Sequence, residues 1–288
     1  MKIILIILAI SQLLWAGESL QIKGSDTMVN LVQKLAESYM QPHKDKSISV
    51  SGGGSGTGIA ALINSKTDIA NSSREIKSKE LSQCKKNKVN AQELTIAIDA
   101  LSIIVNPKNN IKALSVEKLS AIYRGEITNW KQVGGADKAI TLYGRQPNSG
   151  TYDFLREHVL KGEYAQNMIQ MNGNSQIVEG VANDLSGIGY VGVAYIEQGG
   201  KVNEKIKILG ISAKEGEKAY SPLVRETVYS GKYPIARGLN QYINGKPTGL
   251  TKEFISFELS KEGAKLIGEE GFYPVVGDFA AKNAAILK

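Results

Sequence analysis

The sequence predicts an α/β fold, and three observations support this class. Short segments rich in β-branched residues alternate with segments of helical periodicity along the whole chain, as in proteins built from strand–helix units. The length of 288 residues fits one large α/β domain or two lobes. With 42% hydrophobic residues and a single Cys, the composition excludes both a disordered chain and a disulfide scaffold.

The first sixteen residues have the features of a secretory signal peptide. They read MKIILIILAISQLLWA, with a Lys at position 2, an apolar run over residues 3–10 and Ala16 before a polar stretch. The apolar run is shorter than the roughly 20 residues of a membrane-spanning helix. We therefore expect residues 1–16 to direct export of the protein, with a retained N-terminal anchor as the alternative.

The first third of the chain predicts several strand–helix steps. Residues 28–39 carry apolar side chains at helical spacing, and Pro42 ends the run. Residues 48–50 alternate apolar side chains with serines as in a strand, and helical spacing returns over residues 59–63. Residues 68–70 predict a further short strand, which ends at the polar sequence Asn-Ser-Ser-Arg.

The middle of the chain adds a long apolar run and two more helices. Residues 94–105 read LTIAIDALSIIV, which is typical of a buried strand pair or of a crossover between two units. Leu114 and the apolar residues up to Tyr123 have helical spacing. Residues 139–143 predict a strand, and residues 151–158 predict the helix that follows it.

Three turns rich in Gly, Ser and Thr each follow a predicted strand and precede a predicted helix. They are GSDT at 24–27, SGGGSGTG at 51–58 and GRQPNSGT at 144–151. In such a turn, glycines let backbone N–H groups approach an anion, hydroxyls add donors, and the helix N-terminus adds roughly half a positive charge. A single turn of this kind is weak evidence, because Ser and Thr commonly cap helices. Three of them, with Arg145 four residues before Ser149, indicate a site for a small oxyanion.

Nucleotide and hydrolase motifs fit these turns poorly. Residues 53–59 approach the spacing of a Walker A loop, but Ile59 stands where Lys is required. A loose dinucleotide fingerprint in the same turn would place its ribose-binding acid near Glu80, in a polar, Lys-rich stretch. A nucleophile elbow around Ser55 would need Gly in place of Thr57.

Other partners also receive little support. The net charge is +7, but the lysines lack the interleaved aromatic residues of a nucleic-acid groove. His43 and His158 lie in a predicted loop and a predicted helix, which gives little support to a general base. The sequence contains no Cys and His cluster with metal-ligand spacing. We therefore expect no nucleic acid, no metal and no cofactor.

The order of these motifs resembles the substrate-binding proteins of phosphate ABC transporters. The most specific elements are TNW at 128–130, VGG at 133–135, Arg145 and SGT at 149–151, and GIGYVGVAY at 187–195 agrees with them. The resemblance covers essentially the whole mature chain. It implies a two-lobed periplasmic binding protein of type II, without enzymatic activity, which closes by a hinge motion around inorganic phosphate. It further implies a monomer in the periplasm that delivers phosphate to ABC transporter permease subunits.

The resemblance also implies a set of phosphate-binding residues drawn from the turns of both lobes. In this sequence they are Ser25, Asp26, Thr27, Met28, Ser55, Ser73, Arg74, Arg145, Ser149, Gly150 and Thr151. Thr27, the Met28 backbone and Ser55 would donate from lobe one. Arg145, Ser149, Gly150 and Thr151 would form the half of the clamp in lobe two.

Two positions depart from the pattern of the family. Some members place an Asp where this chain has Ser73, and some place another where it has Pro147. Asp26 is the nearest carboxylate that could accept the proton of hydrogen phosphate, although it fits a helix cap equally well; Glu75 is a weaker candidate. Arg74 is either a second charge on the anion or a salt-bridged residue of the wall.

The same resemblance implies two crossings of the chain between lobes, at residues 94–105 and 228–243. Lobe one is then predicted to contain residues 17–99 and 238–288, and lobe two residues 100–237. The same fold with another oxyanion, namely sulfate, molybdate, tungstate or a phosphonate, remains the principal alternative. An exported phosphatase or other hydrolase is the second alternative.

Overall fold

Two β-sheets, one of six strands and one of five, organise the molecule into two lobes, and helices connect their strands. The computed structural model describes residues 17–198 and 200–288. The predicted signal peptide therefore lies outside the described residues. We call the lobe with the six-stranded sheet lobe one and the lobe with the five-stranded sheet lobe two.

Strands and helices alternate over much of the chain, in agreement with the predicted α/β class, and several strands follow one another directly in the middle of the chain. The first part contains β1 (Glu18–Gly24), α1 (Val29–Met40), β2 (Lys46–Ser51), α2 (Ser55–Ile63), β3 (Ile69–Ser72), α3 (Ser78–Lys86), β4 (Ala91–Ala100), β5 (Ser102–Val105), β6 (Ala113–Ser115) and α4 (Val116–Tyr123). The central part contains β7 (Thr141–Arg145), α5 (Gly150–Leu155), β8 (Ile169–Met171), α6 (Asn174–Asn183), β9 (Gly187–Val191), β10 (Glu197–Gln198), β11 (Lys201–Val202), β12 (Lys207–Ile208) and β13 (Gly210–Ser212). The last part contains α7 (Arg225–Tyr229), β14 (Ala236–Asn244), α8 (Gly249–Glu258), α9 (Lys261–Glu269), β15 (Tyr273–Pro274) and α10 (Gly277–Leu287).

The sheet of lobe one gathers the first two glycine-rich turns at one edge. Its strand order is β15-β4-β14-β3-β1-β2, and β1 pairs in parallel with both β2 and β3. The carboxyl ends of these three parallel strands therefore lie side by side, at Gly24, Ser51 and Ser72. In an open α/β sheet such an edge is where ligands bind.

Lobe two presents the third turn in the same way. Its sheet has the order β12-β5-β9-β7-β8, and β7 is parallel to its neighbours β8 and β9. β7 ends at Arg145, and α5 begins at Gly150, so GRQPNSGT spans the end of the strand and the start of the helix.

The apolar run over residues 94–105 is the first connection between the lobes. Each residue of the run is buried, and the run is divided between β4 of lobe one and β5 of lobe two, with only Leu101 between the two strands. The chain returns to lobe one at Ala236, where β14 pairs with β4 and β3. The lobe limits at 99/100 and 237/238 remain a prediction.

Two predicted elements have different limits in the structure. Leu114 lies in β6, which pairs with β13, rather than in the helix predicted around it. The helix begins at Val116 because Ser115 caps it and accepts a hydrogen bond from the Lys118 backbone at 3.2 Å. The strand predicted from Ala139 begins at Thr141, since Ala139 forms an isolated bridge with Asn129.

The described helices do not include a membrane span. Within residues 17–198 and 200–288, none of them combines the length and the apolar character needed to cross a bilayer.

Glu258 is an ionisable group that is enclosed in lobe one. Glu258 at the end of α8 is 0% exposed, and the Gln241 amide donates a hydrogen bond to its Oε1 at 3.0 Å. Burial raises the pKa of Glu258 to about 8, because the charged form loses its hydration.

This group is expected to make the protein less stable as the pH rises. The stability that depends on protonated Glu258 is complete below the unfolded-state pKa of about 4.5 and is lost as the pH rises to about 8. We expect Glu258→Gln to reduce this decline in the free energy of unfolding by several kcal/mol, because a difference of one pKa unit between the folded and unfolded states corresponds to about 1.4 kcal/mol. Urea unfolding at pH 5 and pH 9 measures the effect, with Glu262→Gln at the exposed start of α9 as the control. An equal decline in wild type and Glu258→Gln would contradict the prediction.

Candidate functional site

The first two turns, on lobe one, face the third turn, on lobe two, across the cleft between the lobes. Gly54 of the second turn has a φ of +90°, and a side chain there would place its Cβ 2.5 Å from the Asn148 carbonyl oxygen in the third turn. Asn148 in turn accepts a hydrogen bond from the Gly56 N–H at 3.1 Å and donates from its amide to the Gly53 carbonyl at 2.9 Å. The glycine-rich turn of lobe one thus lies directly against the third turn.

Four hydroxyl groups, contributed by both lobes, lie buried where these turns meet. Ser55 Oγ accepts a hydrogen bond from the Ser73 backbone at 3.0 Å and lies 3.3 Å from Ser73 Oγ. Thr27 Oγ1 of lobe one lies 3.1 Å from Thr151 Oγ1 of lobe two. All four side chains are at most 1% exposed. The fold therefore brings predicted donors from separate elements into one enclosed group.

Two other predicted donors form hydrogen bonds within their own turns. Ser149 caps α5, and its Oγ accepts from the backbone of Thr151 at 3.2 Å and of Tyr152 at 3.4 Å. The Met28 backbone donates to the Ser25 carbonyl at 3.1 Å. Ser25 Oγ is buried and has no hydrogen-bond partner among the residues that the structure describes.

Arg145 is 1% exposed and is held in place by three segments of the chain. Its Nε donates to the Met171 carbonyl at 3.3 Å, and its Nη2 donates to the Asn172 carbonyl at 2.8 Å and to Asp26 Oδ2 at 2.5 Å. Its backbone N–H donates to the Tyr190 hydroxyl at 2.9 Å. No residue in the described part of the chain accepts a hydrogen bond from Nη1. The guanidinium is therefore rigidly oriented with part of its donor capacity uncommitted.

Asp26 joins the lobes rather than capping the helix that follows it. Its Oδ1 accepts from the Gly53 N–H at 2.7 Å, its Oδ2 pairs with Arg145, and its backbone carbonyl accepts from the Tyr195 hydroxyl at 2.9 Å. Helix α1 has Met28 at its N-cap, without a side-chain capping bond. The side chain of Asp26 is 23% exposed, so the interlobe pair with Arg145 lies at the rim of the enclosed group.

Arg74 is engaged by carboxylates on both sides. Its two terminal nitrogens donate to the Glu80 carboxylate at 2.8 and 2.7 Å, and its Nε lies 3.0 Å from Asp153 Oδ2. Glu80 is oriented for this pair because it also accepts from the Lys77 backbone at the start of α3. Of the two roles considered for Arg74, this geometry favours the salt-bridged residue of the wall.

Comparisons with known proteins agree with this architecture. The model of the PBP superfamily domain matches residues 14–262. The chain is 30% identical over 277 residues to the phosphate-binding protein PstS of Pseudomonas aeruginosa, an alignment that covers 90% of this chain and 84% of the relative. It is 31% identical over 273 residues to the protein of the same name from Bacillus subtilis, with 93% and 85% covered. The chain belongs to the family of phosphate ABC transporter substrate-binding proteins.

Solved structures of this family have the same fold. A substrate-binding protein assigned to phosphate ABC transport in Clostridium perfringens, crystallised with bound phosphate, superposes with a TM-score of 0.79 at 27% identity, over 90% of this chain and 100% of that chain. An ABC-type phosphate transport receptor from Vibrio cholerae gives a TM-score of 0.72 at 28% identity, over 89% and 100%. The predicted two-lobed α/β fold and the predicted family are confirmed.

Sequence reasoning missed two charged residues beside the site of this family member. Asp99 in β4 is 0% exposed and Arg237 in β14 is 7% exposed, and they form an ion pair with 2.9 Å between Arg237 Nη2 and Asp99 Oδ2. Asp99 is the single charged residue in the apolar run of residues 94–105, and that irregularity could have identified it. Arg237 gave no comparable indication before the pairing of β14 with β4 was known.

Proposed function

We propose that this protein binds inorganic phosphate between its lobes and delivers it to the permease subunits of an ABC transporter. The observation that carries the proposal is the enclosed group of hydroxyls from both lobes beside the oriented guanidinium of Arg145. Phosphate is a small, highly charged anion whose oxygens all need donors when it leaves water. Membership of the family, together with the phosphate-bound relative from Clostridium perfringens, supports this ligand.

The proposed ligand set follows the geometry of the two lobes. Thr27, Ser55 and Ser73 donate from lobe one, and Arg145 with the start of α5 donates from lobe two. The N-terminus of α5, where Ser149, Gly150 and Thr151 begin the helix, adds the favourable end of the helix dipole. The remaining predicted residues, Ser25, Met28 and Arg74, support the turns and the wall around these donors.

Asp26 is proposed as the acceptor for the proton of hydrogen phosphate. A carboxylate has about four acceptor positions, and the contacts to Gly53 and Arg145 occupy two of them. A fully ionised anion such as sulfate has no proton to donate and meets only the negative charge of this group.

Transport follows from the position of the donors on both lobes. An anion held by lobe one alone forms hydrogen bonds only with the donors of that lobe. When the lobes close, it also forms hydrogen bonds with the donors of lobe two. The ligand therefore stabilises the closed state by the difference between these contacts, which is the principle of hinge closure. We propose that the closed, phosphate-loaded protein is a monomer in the periplasm after removal of residues 1–16, and that it acts as a carrier rather than as an enzyme.

Isothermal titration calorimetry of the mature protein tests the ligand and its selectivity. We expect saturable binding of one phosphate, and no displacement of phosphate by a large excess of sulfate between about pH 5 and 8. Molybdate, tungstate and a phosphonate serve as further competitors. Tight sulfate binding, or preference for another of these anions, would overturn the proposed ligand. Release of colour from a chromogenic phosphate ester would overturn the proposal that the protein is a carrier without enzymatic activity.

A further inference from the structure

Arg237 lies where the anion site meets the connection between the lobes. It is the second residue of β14, and in the antiparallel pair of β14 with β4 it stands opposite Asp99. β4 leads directly into lobe two through Leu101. The side chain is almost fully buried, and its guanidinium lies 5.1 Å from the centre of the Phe154 ring of α5.

The guanidinium connects three segments of the chain. Nε and Nη2 donate to Asp99 Oδ2 at 3.1 and 2.9 Å, and Nη1 donates to the Ser73 carbonyl at 2.8 Å. Nη2 also donates to Thr151 Oγ1 in lobe two at 2.9 Å. Arg237 thus contacts one proposed ligand residue on each side of the cleft and the strand that joins the two lobes.

The ion pair needs no anion to balance it. Asp99 accepts two bonds from Arg237 at Oδ2, and its Oδ1 accepts from the Val193 backbone at 2.8 Å. The positive charge of Arg237 is therefore matched by a buried carboxylate. Its contribution to the site lies in the hydrogen bonds that it directs to neighbouring residues.

The contact with Thr151 determines which way that hydroxyl points. Arginine has donors and no acceptor, so Thr151 Oγ1 must accept the hydrogen bond from Arg237. The single hydrogen of the hydroxyl then points elsewhere, and the neighbouring polar group is Thr27 Oγ1 at 3.1 Å, within the group of hydroxyls proposed to bind the anion. Thr151 is thereby oriented as a donor toward the group of hydroxyls proposed to bind the anion.

We infer that Arg237 is a positioning residue for the anion site, which orients the Thr151 hydroxyl as a donor and forms this bond when the lobes close. The inference rests on the proposed function, because it concerns how the same site binds phosphate. Arg237 does not contact the ligand itself and acts through Thr151.

A double-mutant cycle tests this inference by calorimetry with inorganic phosphate. Its variants are Arg237→Lys, Thr151→Val and the two combined; Lys keeps the charge beside Asp99 but has no planar fork to reach all three partners. We expect Arg237→Lys to weaken phosphate binding about tenfold in the wild-type background. In the Thr151→Val background we expect a change of about twofold or less, because the hydroxyl that Arg237 orients is absent. Arg225→Lys, at an exposed position of α7, is the control.

The cycle separates a positioning role from a merely structural one. If Arg237 had only a structural role, Arg237→Lys would lower the phosphate affinity by the same factor in both backgrounds, and this result would overturn the inference. If Arg237→Lys does not fold, as judged by its melting temperature, the paired variant Asp99→Asn/Arg237→Gln replaces it in the cycle, with the same criterion. Failure of the wild type to bind phosphate would overturn the proposed function and the inference together. If the wild type binds phosphate and Arg237→Lys weakens binding equally in the wild-type and Thr151→Val backgrounds, only the inference would be overturned.

Discussion

Arg145→Ala is expected to lower the affinity for phosphate by about two to three orders of magnitude. The guanidinium is the charged donor of lobe two in the proposed site, and it is 1% exposed. Removing one partner of a buried, hydrogen-bonded charge pair costs about 2 to 5 kcal/mol, and each 1.4 kcal/mol is a factor of about ten in affinity. Part of the loss arises because Asp26 would then face the anion without its partner. Calorimetry with phosphate measures the change.

Two further variants define the cause of this loss. Arg145→Ala combined with Asp26→Asn is expected to regain part of the affinity, because the unpaired carboxylate no longer repels the anion. Arg124→Ala removes an exposed arginine of the same lobe that pairs with Glu126, and it is expected to bind phosphate like the wild type. Unchanged affinity in Arg145→Ala would show that the anion binds elsewhere.

Gly150→Ala is expected to hold the lobes apart and to weaken phosphate binding by about 10- to 100-fold. A Cβ at this position would lie 2.3 Å from Ser55 Oγ and 2.7 Å from Ser73 Oγ, both on the opposite lobe. Forcing an additional carbon into a closely packed contact costs about 1 to 3 kcal/mol. Because the clash exists only when the lobes meet, the cost falls on the closed state and leaves the fold of each lobe intact.

This prediction has a matched control and two measurements. Gly173→Ala changes a glycine of the same lobe at which an added Cβ would meet no atom within 4 Å, and it should bind phosphate like the wild type. Small-angle scattering with and without phosphate should show a decrease in radius of gyration for the wild type and a smaller one for Gly150→Ala. Normal closure and affinity in Gly150→Ala would contradict the proposed position of the ligand.

Much of this site could be predicted from the sequence because it depends on local rules. A turn that follows a parallel strand and precedes a helix lies at the carboxyl edge of the sheet, so the three glycine-rich turns and Arg145 could be placed there before their distances were known, whereas the choice of Thr27 and Ser55 as donors rested on the resemblance to the family. The composition of the run over residues 94–105 likewise indicated a buried crossing between two units.

The parts of the site that could not be predicted depend on contacts between residues that are distant in sequence. The ion pair of Asp99 with Arg237 requires the antiparallel pairing of β4 with β14, and residue spacing alone does not predict that pairing. The pair of Asp26 with Arg145 joins two lobes whose relative position is set by the whole fold. The role of Arg74 was open for the same reason, since Asp153 contacts it from the helix of the other lobe.

The short connection at Leu101 has a consequence for the energetics of binding. With one residue between β4 and β5, this connection has only the two backbone torsions of Leu101, whose N–H donates to the Ile235 carbonyl at 3.0 Å and whose carbonyl accepts from the Tyr233 hydroxyl at 2.6 Å. The open state consequently samples few arrangements of its lobes at this point, and little conformational entropy is lost when they come together. More of the interaction energy gained from the anion is then retained as affinity, as in any binding partner that is organised before its ligand arrives.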